Sequence, residues 1–182
     1  MSIEYAPQFE TIVSKARAEG KRMRVALAGA DSENILKGLF EAEADGFVEP
    51  ILIGNYKRIM SMLESLGLKD RSFDLQPVDD STNVVQYAIE MIKSGNADAL
   101  MRGNTSTRDL LMPVLNKGNH LVREDRLVTH VVFLQIPGYE KLLAVSDVTL
   151  LINPSAPARS RPPPHAARVR PAPARSRYLP SF

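Results

Sequence analysis

Apolar positions along the first 118 residues follow two alternating rhythms, one with a helical repeat and one of short continuous runs. From Tyr5 to Ala18, Phe9, Ile12, Val13 and Ala16 share one helical face, and Gly20 follows as a stop signal. Arg24-Val25-Ala26-Leu27-Ala28-Gly29-Ala30 is a short apolar run of the kind that forms a buried parallel strand. Asp31 and Ser32 then offer N-cap chemistry for a helix from Glu33 to Ala44 with Ile35, Leu36, Leu39 and Phe40 inward, and Gly46 ends it. The same alternation predicts a strand at Pro50-Ile51-Leu52-Ile53-Gly54, a helix from Tyr56 to Leu66 and a strand from Phe73 to Val78. Ser81 is the expected cap of a helix running through Lys93, with Val84, Val85, Ala88, Ile89 and Ile92 inward. A fourth strand is expected at Ala97 to Met101, and a helix from about Thr107 to Leu115. After Val128 the pattern changes. Val131 to Leu134 and Leu142 to Val145 flank Pro137-Gly138-Tyr139 with no room for a crossover helix, so they read as an antiparallel pair or a sharp return.

Strand–helix alternation of this kind specifies an α/β fold, an open and mostly parallel sheet with flanking helices. Ligands in such sheets bind outside the carboxyl ends of the strands. Ala30-Asp31-Ser32 and the segment from Gly103 to Thr107 both fall at strand ends and are expected to line one crevice. Neither rhythm continues from Ser155 to Phe182. Those 28 residues hold seven Pro, six Arg, six Ala and four Ser, a composition that predicts a disordered tail. The division expected is therefore 1–154 as an α/β unit and 155–182 as an Arg/Pro/Ala tail.

Charge sharpens that boundary. Residues 1–154 carry 17 Lys+Arg against 21 Asp+Glu, a net of −4, whereas 155–182 carry six Arg and no acid. The overall net charge of +2 averages these two segments and says nothing about partners. Lysines, acids and periodicity vanish together at one point, and Arg, Pro and Ala codons can be written with G and C alone. The tail is accordingly read as translation in a shifted frame. A neutral basic extension and an Arg-bearing nucleic-acid arm are the alternatives. With an acidic body, nucleic acid is not the expected partner. Cysteine is absent, which excludes disulfides, thiolate metal sites and a cysteine nucleophile. His120, His130 and His165 are too scattered for a metal site, so none is expected. No run of eighteen apolar residues and no apolar signal core occur, so the expectation is a cytoplasmic protein without a membrane span.

The candidate chemistry sits where the fourth strand meets its helix. Arg102-Gly103-Asn104-Thr105-Ser106-Thr107 combines a glycine that lets the backbone approach a ligand, several donors and a helix N-terminus. That is what an oxyanion such as phosphate requires, with Arg102 able to contact it bidentately. Ser, Thr and Asn are also favoured in such positions as plain N-caps. Ala28-Gly29-Ala30-Asp31 is weaker: it is neither a full dinucleotide fingerprint nor a Walker sequence. His130 in an apolar strand reads as a core histidine, Asp79-Asp80 as helix-start chemistry, and Asp147 as a strand-end carboxylate that either caps or faces the crevice.

Residues 8–154 resemble the first half of the phosphate acetyltransferase/phosphate butyryltransferase family. The resemblance rests on the helix before Arg24-Val25-Ala26-Leu27-Ala28-Gly29-Ala30, then Pro50-Ile51-Leu52-Ile53-Gly54, then Ala97-Asp98-Ala99-Leu100-Met101-Arg102-Gly103. The butyryltransferase branch is favoured by Val114-Leu115-Asn116-Lys117, Thr129-His130-Val131, and Val132-Phe133 through Pro137-Gly138-Tyr139 to Ser146-Asp147. The family implies reversible acyl transfer between coenzyme A and phosphate, with coenzyme A as substrate and neither a metal nor another cofactor. It also implies an architecture of two α/β units with a cleft between them, like that of the isocitrate/isopropylmalate dehydrogenases, and homo-oligomers for full-length members. On this reading Arg102, Gly103, Asn104, Thr105, Ser106, Thr107 and Asp147 bind substrate. The catalytic residues belong to a second half, so the truncated chain is expected to be inactive. This sequence has Met112 where the acetyltransferase branch has the arginine of a Leu-Arg-Pro sequence, and Leu151 where the family commonly has asparagine. A dehydrogenase of similar fold and a non-catalytic phosphate- or nucleic-acid-binding fragment are the rival readings.

Overall fold

A computed structural model describes residues 7–80, 82–122, 128–139 and 141–146. Helix α1 (Pro7–Glu19) leads into strand β1 (Met23–Ala28), and α2 (Glu33–Ala44) connects it to β2 (Val48–Gly54). Helix α3 (Tyr56–Ser65), β3 (Asp74–Pro77), α4 (Val84–Lys93), β4 (Ala99–Arg102) and α5 (Thr107–Leu115) continue the alternation. After a 3-10 turn at Lys117–Asn119 come β5 (Val131–Leu134) and β6 (Leu143–Ser146).

The first four strands form one sheet in the order β3-β2-β1-β4, with every pairing parallel. Side chains leave a strand alternately to its two faces, and β1 shows the consequence. Val25 and Leu27 join Leu52 under α2 and α3, against Leu36, Leu39, Phe40, Ile59 and Leu63. Ala26 and Ala28 join Ile51 and Ile53 on the opposite face, against Val85, Ala88 and Ile89 of α4. Three layers result, with one apolar cluster on each side of the sheet. The alanines of β1 and Ala88 are fully buried and small, which lets α4 lie close to the central strand.

Several local interactions fix the frame. Arg24 and Asp98 clamp β1 to the start of β4: the Arg24 backbone N–H and Nε donate to Asp98 Oδ2 at 2.9 and 3.1 Å. Arg24 Nη2 donates to Oδ1 at 2.9 Å. This holds the Asp98 carboxyl at about 2, chiefly through the side-chain and then the backbone hydrogen bond from Arg24. Asn119, one of the few polar residues buried in the fold, exchanges amide hydrogen bonds with Gln86 at 3.0 and 3.1 Å and donates to the Pro113 carbonyl at 2.8 Å. The turn after α5 is thereby tied to α4.

The structure corrects some local expectations. Helix α4 begins at Val84 with Asn83 as its cap, whose side chain accepts from the Val85 and Gln86 N–H groups. The cap expected at Ser81 lies outside the described residues. Ser32 occupies the N-cap position of α2 but makes no side-chain cap bond. Ile12, expected inward, is half exposed, because α1 contributes only Val13 to the buried set. Strand β6 is shifted one residue from expectation, and His130 precedes β5 rather than lying in it. The tail at 155–182 lies outside the described residues, as does Asp147.

Candidate functional site at the strand carboxyl ends

The order β3-β2-β1-β4 means that the chain moves outward from β1 to β3 and then returns to the other side of β1. The loops that follow β1 and β4 therefore diverge at a topological switch point, the usual place for a ligand in an open α/β sheet. Here those two loops are bonded together. The Gly103 N–H donates to the Ala28 carbonyl at 2.9 Å, and the Asn104 N–H to the Gly29 carbonyl at 2.8 Å. The approach requires glycine on both sides. Gly29 has φ +79°, and a Cβ on Gly103 would stand 2.0 Å from the Gly29 carbonyl oxygen.

Around this junction lies a crevice of about 240 Å³ that runs across all four strand ends. Gly29, Ala30 and Asp31 line it from β1, Gly54, Asn55, Arg58 and Ile59 from β2 and α3, Val78, Asp79, Asp80 and Thr82 from β3, and Asn104 and Thr105 from β4. Arg58 is shared between two carboxylates, 3.7 Å from Asp31 and in closer contact with Asp80. Asn55 caps α3 through its side-chain oxygen and donates its amide to Asp80. Among the described residues, the buried Asp31 Oδ1 and Thr105 Oγ1 in the crevice have no hydrogen-bond partner.

The expected binding residues divide between different tasks. Arg102 is exposed, and its Nη1 donates to the Thr105 carbonyl at 2.9 Å, closing the loop on itself. Gly103 is buried and sets the loop against β1. Asn104 and Thr105 face the crevice, while Thr107 is exposed at the start of α5. Ser106 is the cap of α5. Its Oγ accepts from the Asp109 N–H at 3.0 Å and donates to the Asp109 carboxylate at 2.6 Å. A carboxylate therefore already sits at the positive end of this helix. Ala30 and Asp31 meet Asn104 and Thr105 in one crevice, whereas Ser32, Gly103, Ser106 and Thr107, also expected there, are not in its lining. Arg58, Asn55 and Asp80 join them without having been foreseen from sequence. Their signal was the same one, a polar residue just past an apolar strand, at Gly54-Asn55 and at Asp79-Asp80.

The sequence matches no family model. It is 28% identical over 146 residues to a phosphate butyryltransferase of Clostridium beijerinckii, covering 80% of this chain and 48% of that protein. It is 26% identical over 163 residues to a phosphate acetyltransferase of Thermotoga maritima, covering 88% of this chain and 53% of that protein. The chain is similar to the phosphate acyltransferases. It spans about half the length of the curated relatives it matches. Among solved structures, a phosphotransacetylase from Streptococcus pyogenes superposes with a TM-score of 0.64 at 19% identity, over 80% of this chain and 53% of the other. That likeness establishes a shared α/β fold.

Proposed function

We propose that this chain is half of a phosphate butyryltransferase-like enzyme that transfers acyl groups between coenzyme A and phosphate. The observation that carries the reading is the alignment with phosphate butyryl- and acetyltransferases over most of this chain and about half of theirs. The finer architecture we infer is bipartite, like that of the isocitrate/isopropylmalate dehydrogenases, with the described sheet supplying one wall of the cleft. In the reaction the coenzyme A thiolate adds to the carbonyl carbon of an acyl phosphate. The resulting tetrahedral oxyanion collapses, the carbon–oxygen bond to phosphate breaks, and a thioester and phosphate are released. The nucleophile arrives with the substrate, so no cysteine, metal or other cofactor is called for. The protein must instead position two substrates and stabilise an oxyanion.

The residues assigned to substrate are Arg102, Gly103, Asn104, Thr105, Ser106 and Thr107, with Asp147 beyond them. Arg102, at the rim of the crevice rather than in its lining, is the residue best suited to phosphate. Among the described residues one of its donors is engaged, by the Thr105 carbonyl, and a guanidinium carries five. The catalytic residues are assigned to a second half. The working protein on this reading is a cytoplasmic homo-oligomer.

The test uses the 182-residue chain beside a version in which an α/β continuation replaces residues 155–182. The short chain is expected to show no phosphate-dependent thiol release from butyryl-CoA, and the extended one to show it. An extended enzyme inactive with both acetyl-CoA and butyryl-CoA overturns the reading. In the extended enzyme, Arg102→Ala is expected to cost about 1.5–3 kcal/mol in the use of phosphate. Ser106→Ala is expected to cost about 1 kcal/mol of stability; a phosphate Michaelis constant left unchanged by it would make Ser106 a helix cap and nothing more. An Arg102→Ala enzyme with an unaltered phosphate constant removes phosphate from this loop.

A further inference from the structure

We propose that a groove at the amino ends of the strands, on the face of the sheet that carries α4, binds the chain's own residues 159–164, Arg-Ser-Arg-Pro-Pro-Pro. The inference is independent of the acyltransferase reading and concerns the end of the sheet opposite the crevice. Helix α4 packs on that face through Val85, Ala88 and Ile89 and leaves part of β2 and β3 beside it uncovered. Glu49 and Asp74 stand exposed there, and Ile51, the register partner of Asp74, lines the groove with them. Tyr87 of α4 forms a wall, its hydroxyl donating to Gln76 Oε1 at 3.1 Å. The groove has a volume of about 700 Å³, inside the range of roughly 300–1,000 Å³ common for ligand sites.

Charge and backbone both select this occupant. Two other charged groups of the lining are already matched, Arg24 by Asp98 and Glu43 by Arg71. Arg22 turns its guanidinium toward Gly46, just after α2. Glu49 and Asp74 have no ion-pair partner among the described residues, although Asp74 accepts from Gln76 Nε2 at 2.9 Å. Residues 155–182 hold six Arg and no acid, against a net of −4 over 1–154. A guanidinium suits this wall, because it pairs bidentately with a carboxylate while its flat face stacks on a phenol ring. The prolines at 162–164 favour the extended polyproline II conformation. Such segments bind grooves lined by aromatic side chains because little chain entropy is left to lose. Length suffices as well. Arg159 lies 13 residues beyond Ser146, a chain that reaches about 43 Å at roughly 3.3 Å per residue. A domain of this size has a radius of gyration of only about 15 Å. Tethering also sets a local concentration on the order of millimolar, so ion pairs that are weak singly suffice for occupancy.

The experiment places a single spin label. The chain has no cysteine, so Ser160→Cys in the full 182-residue, 15N-labelled chain takes a nitroxide at one position. The label is expected to extinguish the amide signals of Glu49, Asp74, Gln76 and Tyr87 and to spare those of Asp80 and Thr105 at the opposite end of the sheet. The double variant Glu49→Gln, Asp74→Asn changes two exposed side chains without changing their shape, and is expected to restore the lost signals at an unaltered melting temperature. Sodium chloride at about 0.5 M is expected to restore them in the parent, because exposed charges are then screened within a few ångströms. Salt acts on the unmutated fold, so it decides the matter even where the double variant folds poorly. No signal loss, loss spread equally over both ends of the sheet, or loss that survives salt would each overturn the proposal. So would loss carried wholly between molecules, seen when the spin-labelled chain at natural isotope abundance is mixed with 15N-labelled parent; the groove would then receive the tail of a second copy.

Discussion

Two residues show how narrowly the strand-end region is constrained. Gly103 has no space for a side chain: the intruding atoms are the Gly29 and Ala28 carbonyl oxygens, at 2.0 and 2.7 Å from the added Cβ. Backbone oxygens that also accept the Gly103 and Asn104 N–H groups cannot move without breaking those bonds. Gly103→Ala is therefore expected to destabilise the chain by about 3 kcal/mol or more, read from urea denaturation; a loss under about 1 kcal/mol would mean that the two loops are not locked together. Asp98 makes a pH prediction. Its carboxyl is held by Arg24 at about 2 instead of the ordinary 3.8. A depressed carboxyl stabilises the fold fully above the ordinary value, and that stabilisation is lost as pH falls through the folded one. The parent chain should exceed Asp98→Asn in urea midpoint near neutral pH, and the difference should shrink between about pH 4 and 2. A difference that persists unchanged at pH 2 would assign the effect to packing rather than to charge.

At the scale of elements, helix starts separate what a sequence offers from what a fold uses. Asn83 and Ser32 both occupy N-cap positions with extended backbone, yet only Asn83 bonds to its helix. Asn83→Ala is expected to cost about 1 kcal/mol, and Ser32→Ala to stay within about 0.5 kcal/mol. Equal losses on thermal melting would show that Ser32 caps α2 in solution. β5 and β6 pair antiparallel with Val132 opposite Val145 and Leu134 opposite Leu143. Phe133, Leu134 and Leu143 are exposed, and neither apolar cluster includes a residue of the hairpin.

The whole molecule thus has unequal stability built into it. Four parallel strands share two apolar clusters, whereas the two-stranded hairpin has little buried support and such ribbons are marginal alone. Native-state hydrogen exchange is expected to show amides of Ala26, Leu27, Leu52 and Ile53 opening only with global unfolding. Those of Val132 and Val145 should exchange orders of magnitude sooner. Equal protection would mean that the hairpin folds as one unit with the sheet. Among the described residues no helix is long and apolar enough to cross a bilayer.

The sequence alone determined the element types and their order, because apolar repeats of two kinds are a local property of the chain. Val25-Ala26-Leu27-Ala28 and Pro50-Ile51-Leu52-Ile53 could be read as buried parallel strands from composition and length. Strand-end logic likewise placed Asp31 with Asn104 and Thr105. Partnership was decided by the tertiary structure. Ser106 rather than Thr105 caps α5, Arg102 turns to the Thr105 carbonyl, and Arg58 from α3 meets Asp31 and Asp80 from two other loops. These outcomes depend on which strand lies beside which. The order β3-β2-β1-β4 juxtaposes residues far apart in the chain, and no local pattern encodes that. The same holds for the orphaned atoms of Asp31 and Thr105. A side chain's hydrogen-bonding deficit exists only once its surroundings are assembled.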